Sequence, residues 1–278
     1  MKSVFLIFLM LFFKSSFSQD DLLSLLSEEN NIEYVEYAFK GTKIVNSPSI
    51  EMPSKGVLQL NIQHRFGPIN SGSYNFFGLD FSQVRIGLDF GLYKWLAIGL
   101  GRSSSEKVID FNSKIRLLRQ IKNGFPFTFS ICSEAAFKQP LNNDYDILNQ
   151  LSYSHHFLFA KKMNRNLSIQ LMPTIVHDNI VQYNSDNDKY SLGFGFRQKI
   201  SKRVSVNGEY FAQINDKINN NILSLGFDIE TGGHIFQLHL SNSQYMIASE
   251  YINNTVGAWS KGDIFFGFNI SRVFKTDY

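Results

Sequence analysis

The sequence predicts an all-β fold, a transmembrane antiparallel up-and-down β-barrel of about twelve strands, and three observations carry that prediction. Segment after segment alternates apolar and polar residues with the period of a strand. The connections between segments alternate between short and long, like the turns and loops at the two ends of a membrane barrel. Phenylalanine is abundant, at 27 of 278 residues against 6 prolines, a balance that suits strands with an aromatic-rich outer face.

The chain opens MKSVFLIFLMLFFKSSFSQ, with Lys2, an apolar run over Val4–Phe13 and small residues before Gln19. This reads as a secretory signal peptide over residues 1–18. Ten apolar residues cannot cross ~30 Å of hydrocarbon as a helix, and no later segment is long and apolar enough to do so. Loss of Lys2 and Lys14 lowers Lys+Arg from 27 to 25 against 24 Asp+Glu, so there is no basic excess for nucleic acid. The single cysteine, Cys132, excludes an internal disulfide. Residues 19–55 form an N-terminal segment, periplasmic or lumen-capping. Within it Asp20–Glu29 suggests a short helix, and YVEYAFKGTKIV alternates poorly. The barrel domain follows over 56–278.

The alternating segments run over 57–66, 82–91, 95–103, 107–118, 125–135, 149–160, 166–176, 188–198, 203–213, 221–230, 234–243 and 262–274. In the first, Leu58, Leu60 and Ile62 oppose Gln59, Asn61, Gln63 and Arg65. In the second, SQVRIGLDFGL, Val84, Ile86, Leu88 and Phe90 oppose Gln83, Arg85, Gly87, Asp89 and Gly91. The apolar series faces lipid and the polar series an enclosed lumen, because an arginine facing mid-bilayer lipid costs about 2–4 kcal/mol. The linkers LYK, QIKNG, KKMNRN, KISKR and TGG are short, and the intervening ones, except SSSE, are longer. The short turns are assigned to the periplasm, with both termini on that side. Tyr93 and Trp95 at one short turn fit an interfacial aromatic belt. The final strand, FFGFNISRVFKTDY, is similar to the C-terminal signal read by the outer-membrane assembly machinery. An exported soluble barrel is the alternative, but strands this long match a bilayer better than a sandwich.

One block goes beyond pattern. AFKGTKIVNSPSIE, the HRFG at His64–Gly67, the FGLD at Phe77–Asp80, the RIGLDFGL strand and the GLGRSS at Gly99–Ser104 lie within Tyr37–Lys107. This block resembles a family of Bacteroidota β-barrel proteins, domain of unknown function 5777. The resemblance implies an outer-membrane barrel and brings no catalytic residue or substrate with it.

Candidate chemistry is sparse. Ser152, Ser154 and His156 share one face of LSYSHHFLFA, a spacing that places a hydroxyl beside an imidazole on a strand. By phase that face is the lumen, so no catalytic residue is assigned and no enzyme is expected. His155 falls in the lipid-facing series, and a local bulge turning it inward is expected. His64, His155, His156, His177, His234 and His239 lack metal-ligand spacing, and His177-Asp178 is assigned to a loop. No metal or cofactor is expected. The glycines of GLGRSSSEK are read as points of strand curvature. The inward ionisable set is Arg65, Arg85, Asp89, Asp110, Lys114, Arg116, Glu134, Arg197, Glu209 and Asp228. It is read either as a salt-bridge network filling a narrow barrel or as the wall of a polar path or binding cavity. The functional expectation is a narrow channel, transporter or binding barrel for a small solute or lipid. A non-catalytic surface or scaffold barrel acting through its extracellular loops is the alternative.

Overall fold

A computed structural model describes residues 33–138, 147–181, 186–215 and 219–275. The expected signal peptide and the helix over Asp20–Glu29 lie outside them. Twelve strands run in sequence: β1 (Val57–Pro68), β2 (Ser82–Tyr93), β3 (Leu96–Ser103), β4 (Ile109–Leu118), β5 (Thr128–Phe137) and β6 (Leu151–Lys162), then β7 (Leu167–Asp178), β8 (Asp188–Lys199), β9 (Val204–Gln213), β10 (Ile222–Thr231), β11 (His234–Ser241) and β12 (Phe265–Lys275). Each pairs antiparallel with its sequence neighbours, and β1 pairs with β12 from Val57↔Lys275 to Arg65↔Gly267, which closes the barrel. Closure leaves no strand edge unpaired, a requirement in hydrocarbon.

Burial is inverted relative to a soluble protein. Gln59, Asn61, Gln63 and Arg65 are buried, Arg65 completely, while Ile86, Leu88, Leu100 and Phe111 lie on the outer surface. The alternation read from the sequence therefore has its polar side in the lumen. Tyr93 and Trp95 stack at 5.5 Å beside the β2–β3 turn and are about half exposed.

Three elements depart from expectation in instructive ways. β5 begins at Thr128 rather than 125, because Pro126 has no amide hydrogen to give to a ladder. β4 begins at Ile109 because Glu106 and Lys107 take positive φ, 44° and 56°, in a single helical turn. β7 runs on to Asp178, so His177 and Asp178 are strand residues and not loop residues; His177 Nδ1 meets Asp188 Oδ1 of β8 at 2.7 Å.

His155 also corrects the sequence reading. The β5–β6 register is unbroken from Thr128↔Ala160 to Phe137↔Leu151, so there is no bulge to turn the ring inward. His155 lies on the outer face, where its Nδ1 meets Ser133 Oγ at 2.9 Å. The polar pair partly satisfies itself where water is absent.

Candidate functional site

The lumen is occupied by the chain itself. Residues 42–49 form a tight hairpin closed by Ser49 N–H to Thr42 O (2.9 Å) and Ile44 N–H to Ser47 O (2.9 Å). Its tip, Ile44 to Ser47, is fully buried inside the barrel. A buried hairpin must satisfy its backbone groups, and inward-facing side chains of the barrel do so. Glu209 on β9 accepts Asn46 N–H (2.8 Å), Ser47 N–H (3.0 Å) and the Ser47 hydroxyl (2.6 Å). Converging donors of this kind make a nest for the carboxylate. Lys114 Nζ donates to Ser49 O and Glu51 O, both at 2.7 Å. Gln170 donates to Pro48 O (2.9 Å), Gln237 to Ile44 O (2.5 Å) and Asn269 to Val45 O (3.0 Å). Arg65 bonds the Asn46 side chain and the His239 ring, and Asn46 Nδ2 reaches Ser224 Oγ at 3.0 Å.

The ten ionisable residues singled out from the sequence therefore divide by partner. Arg65, Lys114, Arg197 and Glu209 hold the N-terminal segment, Arg197 through Ala38 O at 3.0 Å. Asp89 accepts Asn61 Nδ2 (2.7 Å) and the Thr42 hydroxyl (3.5 Å). Asp228 accepts Gln237 Nε2 at 2.7 Å. Glu134 accepts the Ala248 amide at 3.1 Å, and Arg116 lines a cavity at the short-turn end. Only Arg85 and Asp110 form an ion pair within this set among the described residues, bidentate, with Arg85 Nε 2.9 Å from Oδ1. The salt-bridge network expected to fill the lumen is thus one pair, and the hairpin supplies the rest of the filling.

That pair explains a glycine pattern. Arg85 reaches from β2 across β3 to β4 over Gly87 and Gly101. A Cβ on Gly87 would lie 2.8 Å from Arg85 Nη1, and one on Gly101 2.7 Å from Asp110 Oδ1. The glycines clear space for the pair, where the sequence reading had assigned those of β3 to curvature.

The long-loop end is closed by residues 242–258, which include a short helix, α1 (Ala248–Asn253). Met246, Ile247, Tyr251 and Ile252 are buried, Tyr251 and Ile252 in one apolar cluster with Leu158, Met172, Val176 and Phe211 from β6, β7 and β9. One space of about 30 Å³ lies between hairpin and cap, and another of about 30 Å³ lies between the hairpin and the wall formed by β1, β10, β11 and β12. Each has room for about one water and not for a solute.

The Ser–His set does not assemble. Ser152, Ser154 and His156 are buried in the lumen wall, and the His156 ring bonds Thr174 Oγ1 at 2.8 Å rather than a serine. Sequence reasoning missed the uncharged holders Asn46, Ser47, Gln170, Gln237 and Asn269, and the apolar wall formed by Leu158, Met172 and Phe211. The wall carried a signal: in β6, Leu158 and Ala160 follow Ser152, Ser154 and His156 at the inward phase, so alternation fails there.

Glu250 on α1 is fully buried, and neither carboxylate oxygen has a hydrogen-bond partner. Burial pushes its carboxyl up to about 8; Lys138 opposes this, while Glu106, Glu134 and Asp110 add to it. A pKa raised by folding contributes stability that is full below the unfolded value near 4.5 and is lost as pH rises through about 8. Proteolysis of the 242–264 loop is therefore expected to accelerate as pH rises from about 4.5 to about 8 and to level off above that. In Glu250→Gln the rate should stay at its low-pH value. An unchanged pH profile in that variant would remove Glu250 as the cause.

The comparisons with known proteins agree with this architecture. The chain resembles the NanC porin structure, at 8% identity and a TM-score of 0.52, over 77% of this chain and 98% of that one. It also resembles an outer membrane channel from Pseudomonas putida F1, at 11% identity and a TM-score of 0.49, over 81% and 97%. At 8% identity the likeness to the first of these is one of fold. No curated protein matches the chain. A closed barrel with an apolar exterior and a polar interior is the architecture of outer-membrane proteins. The family model described as a membrane bound beta barrel domain, domain of unknown function 5777, matches residues 39–274, and the chain belongs to that family.

Proposed function

We propose that the protein is an outer-membrane transport barrel for a small solute, held closed by its own N-terminal hairpin. The observation that carries this reading is how the hairpin is held. Its backbone is held by hydrogen bonds to polar lumen side chains that water could replace one by one, and only Ile44 and the flanking Phe39 and Ile50 join the apolar cluster of the wall. With the hairpin withdrawn, β1, β2, β10, β11 and β12 would present a hydrophilic wall. Residues 19–55 are then the lumen-capping segment, 56–278 the barrel domain and 1–18 the leader. The short turns face the periplasm, and the last strand is what the assembly machinery reads. No catalytic role is assigned, which the His156–Thr174 bond supports.

A lumen filled by the hairpin and a capped long-loop end favour one second reading, a scaffold barrel working through its loops. Conductance in planar bilayers separates the two. The full chain should show rare, small openings, and a chain lacking both residues 41–51 and the cap residues 244–257 should conduct steadily. If the deleted chain folds with heat-modifiable mobility yet stays silent, the scaffold reading replaces the transport one.

A further inference from the structure

The short-turn end carries a charge that closing the barrel does not explain. The connections there, residues 94–95, 119–127, 163–166, 200–203 and 232–233, contain six Lys or Arg and no Asp or Glu. The connections at the other end contain eight Asp or Glu against four Lys. An end-to-end asymmetry of this kind gathers anions at one mouth.

Two adjoining cavities, about 440 and 520 Å³, open at that end on either side of Glu36, Tyr37 and Glu51–Ser54. Arg116, Arg119, Lys162, Arg165, Arg197 and Lys199 are among their lining residues. The carboxylates in the same lining are Glu36, Glu51 and Glu230, and two of these are engaged. Glu230 pairs with Lys40, and Glu51 Oε1 accepts the Ala38 and Phe39 amides at 2.7 and 3.3 Å. Lys162 and Arg197, by contrast, hydrogen-bond to neutral partners. Lys162 Nζ donates to Glu36 O (3.2 Å), and Arg197 to Ala38 O (3.0 Å) and Ser205 Oγ (3.1 Å). The buried Nε of Arg116 has no hydrogen-bond partner. Among the described residues these three cations are in no salt bridge, and the Glu51 carboxylate acts on all of them only from a distance. Beside them Val35, Tyr37, Met52 and Pro53 offer apolar surface, and the volumes fall in the range of small-molecule sites.

We propose that this vestibule is a binding site for a small organic anion carrying a carboxylate or phosphate. The inference deepens the transport reading and rests on it for the site's place on a path. The anionic group pairs with Arg116 and Lys162 through charge-assisted hydrogen bonds, and the body of the solute packs on Tyr37 and Met52.

Calorimetric titration of the refolded full chain tests it, with glucose 6-phosphate as probe and glucose as the neutral control. Glucose 6-phosphate should bind at least tenfold more tightly than glucose. The double variant Arg116→Gln/Lys162→Gln should lose at least tenfold of that affinity while keeping heat-modifiable mobility. Should that variant fail to fold, Arg165→Gln/Lys199→Gln, at the rim, should lose severalfold. Equal binding of the two sugars, or unchanged affinity in the variant that folds, overturns the proposal. Nanodiscs of phosphatidylcholine and of phosphatidylglycerol separate a free solute from a lipid headgroup. The affinity should be similar in both, and disappearance of probe binding in phosphatidylglycerol overturns the proposal in favour of a headgroup site. Binding without conductance in the chain lacking hairpin and cap would contradict transport alone. Conductance without binding would contradict this site alone.

Discussion

Asp110→Asn is expected to cost the barrel about 3–5 kcal/mol, because it leaves the Arg85 guanidinium buried without its ion-pair partner. Asp110 is fully buried, and Arg85 is 3% exposed. Of the five guanidinium donors, Nε and Nη2 go to Asp110 and Nη1 to Gln63 Oε1 at 3.0 Å. An asparagine keeps one acceptor but removes the charge. Denaturant unfolding in lipid vesicles, followed by heat-modifiable mobility, measures the loss. The double variant Arg85→Met/Asp110→Leu should recover most of it, since a buried pair replaced by apolar groups of similar volume is close to neutral. Equal instability of single and double variants would mean that packing over Gly87 and Gly101, not charge, sets the cost.

Leu88→Arg is expected to cost about 2–4 kcal/mol near the bilayer midplane, since the new charge points into lipid. Leu88 is 43% exposed on the outer face and pairs in register with Leu60 and Leu100. Asp89→Asn, one residue on and facing the lumen, should cost less. Its acceptor role toward Asn61 and Thr42 survives in the amide oxygen, and among the described residues it is in no ion pair. Both variants are compared in vesicles by the same unfolding assay. A harmless Leu88→Arg beside an unfoldable Asp89→Asn would reverse inside and outside.

The strands and their faces were legible in the sequence because strand phase is local: a period of two says which side chains share a face, whatever lies beyond. Leu88 outward and Arg85 inward follow from counting alone. What a lumen residue bonds is not local. Glu209 and the amides it accepts are more than 160 residues apart, and NSPSI has no period to show that it forms a buried turn. The Arg85–Asp110 pair was half legible. Both residues stood at inward positions, but only the glycines Gly87 and Gly101, read as cleared space, point to a contact across an intervening strand. His155 was misjudged for a related reason. Its satisfaction by Ser133 depends on β5–β6 register, which phase within one strand does not reveal.

The placement of the hairpin in the lumen can be measured in the membrane. Asn46 and Ser224 are 178 residues apart in sequence and 3.0 Å apart between side chains. In a Cys132→Ser background, Asn46→Cys with Ser224→Cys should be joined by a short thiol crosslinker in intact membrane vesicles. The joined barrel should show fewer channel openings than the same barrel left untreated. Asn46→Cys paired with Ser104→Cys, in the connection after β3, should not crosslink. Equal yields in the two pairs, or unaltered openings in the joined barrel, would contradict closure by the hairpin.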